Sequence, residues 1–234
     1  MKEKKKISLI PSYSVVPLIV IVVWNQLVYS GAMFLTRNWP HYSFELGIDQ
    51  KIPFVPWTVC IYLGCYLFWI ANYILTARQE KEKVYRFFCA EVMAKAVCLV
   101  CFLLLPSTNV RPVIEGNSIW EILMSIVYGV DSASNLFPSI HCLVSWFCVI
   151  GIRKQKNIPT GYKIFSVVMA LAVCVSTLTT KQHVFVDVIA GVTLAEVCYW
   201  ISGKTGIWLM VENTLLTKTE YGFQMRSNRS SNKI

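Results

Sequence analysis

An all-α fold is what this sequence predicts: a polytopic bundle of six transmembrane helices, with a short interfacial helix between spans three and four. Three observations carry that expectation. Of 234 residues, 55% are hydrophobic and only 15% charged, too little charge to cover a soluble domain of this size. Apolar runs near the length of a bilayer crossing recur along the chain. Lys and Arg gather in alternate connections between those runs, as they do in a chain sorted across a membrane.

The first run, about Val15 to Leu35, follows the basic head Met-Lys-Glu-Lys-Lys-Lys. A signal peptide has a similar head, but this run is long enough to cross and no small-x-small cleavage site follows it. A retained first span is therefore expected. Residues 36–54 form a polar connection in which His41, between Pro40 and Tyr42, reads as an interfacial loop residue; Trp39 and Trp57 read as aromatic anchors. The second span is about Val55 to Thr76, and the basic loop Ala77–Arg86 leads to a third, about Phe87 to Leu105. In its first turns Glu91 and Lys95 stand i,i+4, in the favourable order for a helical ion pair, with Lys95 able to snorkel to the near interface. The segment Ile119–Val130 is apolar but too short to cross, hence the interfacial or re-entrant helix. The fourth span starts near Pro138, a residue suited to a first helical turn, and ends before Arg153. A basic turn, 153–163, precedes the fifth span, about Ile164 to Leu178. Thr179–Gln182 then turns tightly into the sixth, about Val184 to Ile201. The chain thus divides into a basic N-terminus (1–14), a membrane catalytic domain (15–203) and a polar tail (204–234), disordered after Asn213.

Six spans put both termini and the 77–86 and 153–163 loops on one side, with seventeen of the 22 Lys and Arg. The other side has Arg37, Lys51, Arg111 and Lys181. This bias orients both termini to the cytosol and the opposite face to the outside of a plasma membrane. Because the charges follow the loops and form no stripe, the net charge of +9 does not point to nucleic acid. The nine cysteines lie in or beside apolar runs and do not alternate with histidine. They are expected to be buried, reduced and structural, with no metal site.

The orientation gathers Arg111, His141, Lys181 and His183 on the outer face. His183 and Asp187, spaced i,i+4, share one face at the start of the sixth helix. A carboxylate there can accept the imidazole N–H, fix the tautomer and raise the nucleophilicity of the other nitrogen. His141, opening the fourth helix, is a candidate general acid. Ser139 and the free N–H groups of that helix start suit a phosphate, and Arg111 and Lys181 could supply positive charge.

At these residues the sequence resembles the type 2 phosphatidic acid phosphatase superfamily, integral lipid phosphatases related to vanadium haloperoxidases. Its pattern has three parts: Lys-x6-Arg-Pro, Pro-Ser-Gly-His and Ser-Arg-x5-His-x3-Asp. Pro138, Ser139 and His141 match the second, with Ile140 in the glycine position. Ser176, His183 and Asp187 match the third, with Thr177 in place of arginine. Arg111 and Pro112 match the end of the first, but position 104 is Leu. The resemblance implies that His183 attacks phosphorus to form a phosphohistidine, Asp187 orients it, His141 protonates the leaving alcohol, and water then hydrolyses the intermediate, with no metal or other cofactor. It also implies phosphate binding by Ser176 and Arg111; Lys181, two residues before His183, is expected from its position to stand in for the missing cations. The expected substrates are phospholipids or polyprenyl phosphates: phosphatidic acid, a phosphatidylglycerol-phosphate-like lipid or a polyprenyl diphosphate. The departures at 104 and 177, and the Phe-Pro-Ser-Ile-His and Gln-His-Val-Phe-Val-Asp contexts, are also similar to the inositol-phosphorylceramide synthase branch, which transfers phospho-head groups. A non-catalytic lipid-binding protein is a third reading.

Overall fold

The computed structural model describes residues 9–213. The basic head and the polar end of the tail lie outside them. The described residues contain helices and no strands. Five helices are long and apolar enough to cross a membrane: α1 (Ser12–Thr36), α3 (Val59–Ala77, with the 3-10 turn Pro56–Thr58 before it), α4 (Lys81–Leu104), α7 (Thr160–Thr179) and α8 (Phe185–Thr205). Three shorter helices complete the set, α2 (Gly47–Lys51), α5 (Ile119–Val130) and α6 (Ile140–Arg153).

The predicted fourth span corresponds to α6, which falls short of the others. Its 14 residues reach about 21 Å, against about 30 Å of hydrocarbon. The physical reason is its position. α6 packs against α3, α4, α7 and α8, and its residues 142–145 and 147–152 are all buried, so protein rather than lipid surrounds it. The non-helical stretch leading into it is satisfied internally, with the Ser107 hydroxyl accepting from the N–H groups of Leu136 and Phe137 at 2.9 and 2.8 Å.

The outer helices show one buried and one apolar exposed face. On α1, Ile21, Val28 and Ala32 pack inward, and α4 is its main neighbour, while Val22, Val23, Leu27 and Phe34 are exposed. On α3, Tyr62, Cys65, Phe68, Asn72 and Thr76 form a buried stripe at helical spacing, and Leu67 and Ile70 face outward. Apolar exposure on this scale needs lipid to cover it. Seven cysteines are buried and all nine are free; Cys60 is exposed, contrary to the expectation that all are buried.

One boundary differs from the sequence reading with a consequence. α4 begins at Lys81, not near Phe87, because Lys-Glu-Lys-Val-Tyr-Arg consists largely of good helix formers and continues the helix. Glu91 and Lys95 therefore sit in mid-helix. Lys95 does not snorkel: it is 2% exposed, with Nζ 2.6 Å from the Glu91 carboxylate. Beyond α8, which Gly206 ends in the left-handed conformation (φ 63°), Trp208 folds back on Tyr85 and Cys89 of α4.

At the opposite end of the bundle the connections are stitched together. Tyr42 N–H donates to Pro106 O and Tyr42 O accepts from Thr108; Val55 N–H reaches Thr179 O; Tyr128 Oη donates to Thr180 O. These bonds cross between loops far apart in sequence and hold the α7–α8 turn in place.

Candidate active site

The α7–α8 turn is built by its own backbone. Gln182 and His183 N–H both donate to Thr177 O, at 2.9 and 3.0 Å, and Lys181 takes a positive φ of 53° to allow it. Asp187, in the first turn of α8, then accepts through one oxygen from Val184 N–H at 3.0 Å and from His183 Nδ1 at 3.2 Å. One carboxylate thus caps the helix and fixes the imidazole, leaving His183 Nε2 as the free nitrogen. Burial disfavours the charged form of His183, but the hydrogen bond and charge of Asp187 outweigh it and hold the pKa above the ordinary 6.5.

His141 comes from α6. Ser139 is the N-cap of that helix, its Oγ accepting from Cys142 N–H at 3.3 Å, and Ser139 N–H donates to Asp187 O at 3.1 Å. Gly191, one turn further along α8, makes this approach possible: a Cβ there would lie 2.5 Å from Ser139 O. The two helix starts are locked together, and the rings of His141 and His183 stand 5.9 Å apart. Tyr62 stacks on His141 at 4.6 Å, with Trp69 at 5.5 Å.

Both histidines line a cavity of about 510 Å³ between α1, α3, α5 and the start of α6. Arg111 stands behind its wall, Nη1 donating to Asp131 O and Nη2 to Gln182 Oε1 at 2.6 Å, with its face on the Tyr128 ring. Other predicted residues lie elsewhere. Lys181 Nζ donates to the carbonyls of Asp49 and Ile52, at 2.9 and 2.6 Å, beside a second cavity of about 270 Å³ that His183 also borders. Ser176 is buried in the last turn of α7 with its hydroxyl on Val173 O at 2.8 Å. His41 stays in its loop, Nδ1 2.9 Å from Trp39 O. Of the two positions where the resemblance expects cations, Leu104 is 72% exposed and Thr177 is buried with its hydroxyl on Cys174 O.

Three residues in the site escape a reading of the sequence. Asp131 ends α5 and receives hydrogen bonds from the hydroxyls of Tyr29 and Tyr62. Gln182 links the turn to Arg111. Asp49, 4% exposed in α2, accepts from Phe185 N–H at 2.7 Å and so helps hold the start of α8. The only hint in the sequence was an acid closing an apolar run at Asp131. Among the described residues no group of three or more His, Cys, Asp or Glu is placed to hold a metal.

An integral membrane bundle with two histidines facing one cavity defines the class. A family model described as the PAP2 superfamily matches residues 34–201, most of the chain, and the chain belongs to that superfamily. With membership comes a function of the phosphatase or phosphotransferase type on lipid phosphates. Among curated proteins none matches the chain.

Proposed function

We propose that this protein cleaves lipid phosphate esters on the outer leaflet through a phosphohistidine intermediate. The observation that carries the reading is the pairing of His183, tied through Nδ1 to Asp187, with His141 across the same cavity. His183 Nε2 attacks phosphorus, and the P–O bond to the lipid alcohol breaks as protonated His141 gives its proton to the leaving oxygen. An acceptor hydroxyl then attacks phosphorus, its proton returns to His141, and the P–N bond breaks. With water as acceptor the enzyme is a metal-independent lipid phosphate phosphatase. With an alcohol it is a head-group phosphotransferase, a second reading that the neutral residues at 104 and 177 favour.

Ser139 and Arg111 support the phosphate, Ser139 by presenting the start of α6 and Arg111 by charge behind Gln182. Lys181 and Ser176 act on the turn that carries His183, since their polar atoms are engaged by backbone carbonyls. In the membrane, α6 is a sixth crossing shortened by its burial, α5 lies at the interface, and both termini are cytosolic. Purified protein in mixed micelles with chelator, given lipid substrates labelled in the phosphate, tests the chemistry. Label on wild type that survives acid, or label that persists on His183→Ala, would remove His183 as nucleophile; an acid-labile, base-stable adduct absent from the variant is the expected result.

A further inference from the structure

The charge and the lining of the 510 Å³ cavity are a poor match to a phosphate monoester. A monoester approaches a double negative charge, and such a ligand needs compensating cations at close range. The described residues lining the cavity include no Lys or Arg. Arg111 reaches the site only from behind, through Gln182 and the Asp131 carbonyl. Against its single positive charge stands the carboxylate of Asp131, which does line the cavity. Arg111 and Asp131 offset each other. In the reactive form, with His183 neutral and His141 protonated, one positive charge is left beside the histidines. That matches the single negative charge of a phosphodiester and not the double charge of a monoester.

The same wall is aromatic. Tyr29, Tyr62, Tyr66 and Trp69 line the cavity around Asp131 and His141. Aromatic faces beside a carboxylate attract an alkylated ammonium, and the attraction grows when water is excluded. Both Asp131 oxygens already accept a tyrosine hydroxyl, Oδ1 from Tyr29 and Oδ2 from Tyr62. The carboxylate therefore offers charge more than hydrogen-bonding capacity, which favours a cation without N–H donors. Tyr29 belongs to α1, ahead of the residues 34–201 that the family model matches.

We infer that the substrate is a zwitterionic phosphodiester lipid with a quaternary-ammonium head group, the phosphate lying at His183 and the ammonium between Asp131 and the aromatic rings. This rests on the phosphohistidine reading above. The first half-reaction leaves diacylglycerol, formed when His141 protonates its departing oxygen, and a phosphocholine-type group on His183 Nε2. A hydroxyl acceptor, water or a lipid alcohol, takes that group in the second half, and its proton goes to His141.

Full-length protein reconstituted with a primary-alcohol lipid acceptor would be given phosphatidylcholine, phosphatidylethanolamine, phosphatidylglycerol, phosphatidylinositol or phosphatidic acid at equal mole fraction. Diacylglycerol, the product common to all five, is the readout. The expected result is a kcat/KM for phosphatidylcholine at least tenfold above the others. In Asp131→Asn the ratio of phosphatidylcholine to phosphatidylglycerol turnover falls at least tenfold, and as a ratio within one preparation it is insensitive to the folded fraction. Preference for phosphatidic acid, phosphatidylglycerol or phosphatidylinositol, equal use of the ethanolamine lipid, or an unchanged ratio in Asp131→Asn overturns the inference. Turnover of phosphatidic acid alone does so while leaving the phosphohistidine reading intact; no His183-dependent product from any lipid removes both.

Discussion

The His183–Asp187 hydrogen bond does two jobs that pull on the same proton. It presents a single nitrogen to the cavity, and it stabilises the imidazolium enough to offset burial. A protonated His183 cannot attack phosphorus, so kcat/KM should fall toward acid pH, with the limb centred above the ordinary histidine value of 6.5. In Asp187→Asn the carboxylate charge is lost, and burial is opposed by smaller effects such as the charge of Asp131. The acid limb should then move to lower pH, while the rate falls by about 10²–10⁴-fold as orientation is lost. A pH profile of both proteins measures this, and a limb that stays in place in the variant would refute the assignment. Lys181 differs in kind, because its ammonium serves two backbone carbonyls of the 49–52 segment. Lys181→Ala should lower thermal stability and kcat together, with KM for the lipid changed less than threefold. A rise in KM alone would instead mark direct phosphate contact.

Between elements, the decisive approach is α6 against α8. The site requires the start of α6 to touch the first turns of α8, and at Gly191 there is no room for a side chain between them. Gly191→Ala adds a methyl that meets Ser139 O. Because that neighbour is backbone and not a flexible side chain, the helices must part by a few tenths of an ångström or more. Activity should fall at least tenfold with a lower melting temperature, whereas Gly161→Ala, where a Cβ meets nothing within 4 Å, should leave both unchanged. Equal behaviour of the two variants would show that the α6–α8 contact does not position His141.

Across the whole molecule, the bundle carries an ion pair in its interior and its site at one end. Glu91 and Lys95 are 0% and 2% exposed, so removing one partner strands a buried charge at a cost of about 3–5 kcal/mol. Glu91→Ala should melt far below wild type in detergent, and Glu91→Gln with Lys95→Met should recover most of that loss. A double variant no better than the single would argue against the pair as the cause. Orientation can be read from cysteines placed at Val110, 81% exposed near the site end, and at Lys154, beyond α6 at the other end. A membrane-impermeant maleimide added to intact cells should label the first and spare the second, over the wild-type background.

Composition and periodicity were enough to determine an all-helical membrane chain and to locate most span ends within a few residues, because lipid demands long apolar runs whatever their partners. They misplaced the start of α4, because charged helix formers can extend a span past the interface. At α6 the ends agree with the sequence, and its short length reflects the shelter of protein, since a helix buried among others need not match the bilayer. The His183–Asp187 relation was legible because an i,i+4 spacing is a local property of a helix. Other parts of the site were not. Asp131 meets Tyr29 and Tyr62 across 102 and 69 residues, and Arg111 meets Gln182 across 71. Likewise, Lys181 looked like a free cation until the fold brought the carbonyls of Asp49 and Ile52 to it. Local pattern determined which residues could do chemistry; only the packing of distant segments decided which of them share a cavity, since side-chain partners across a bundle are selected by three-dimensional contact and leave no spacing in the chain.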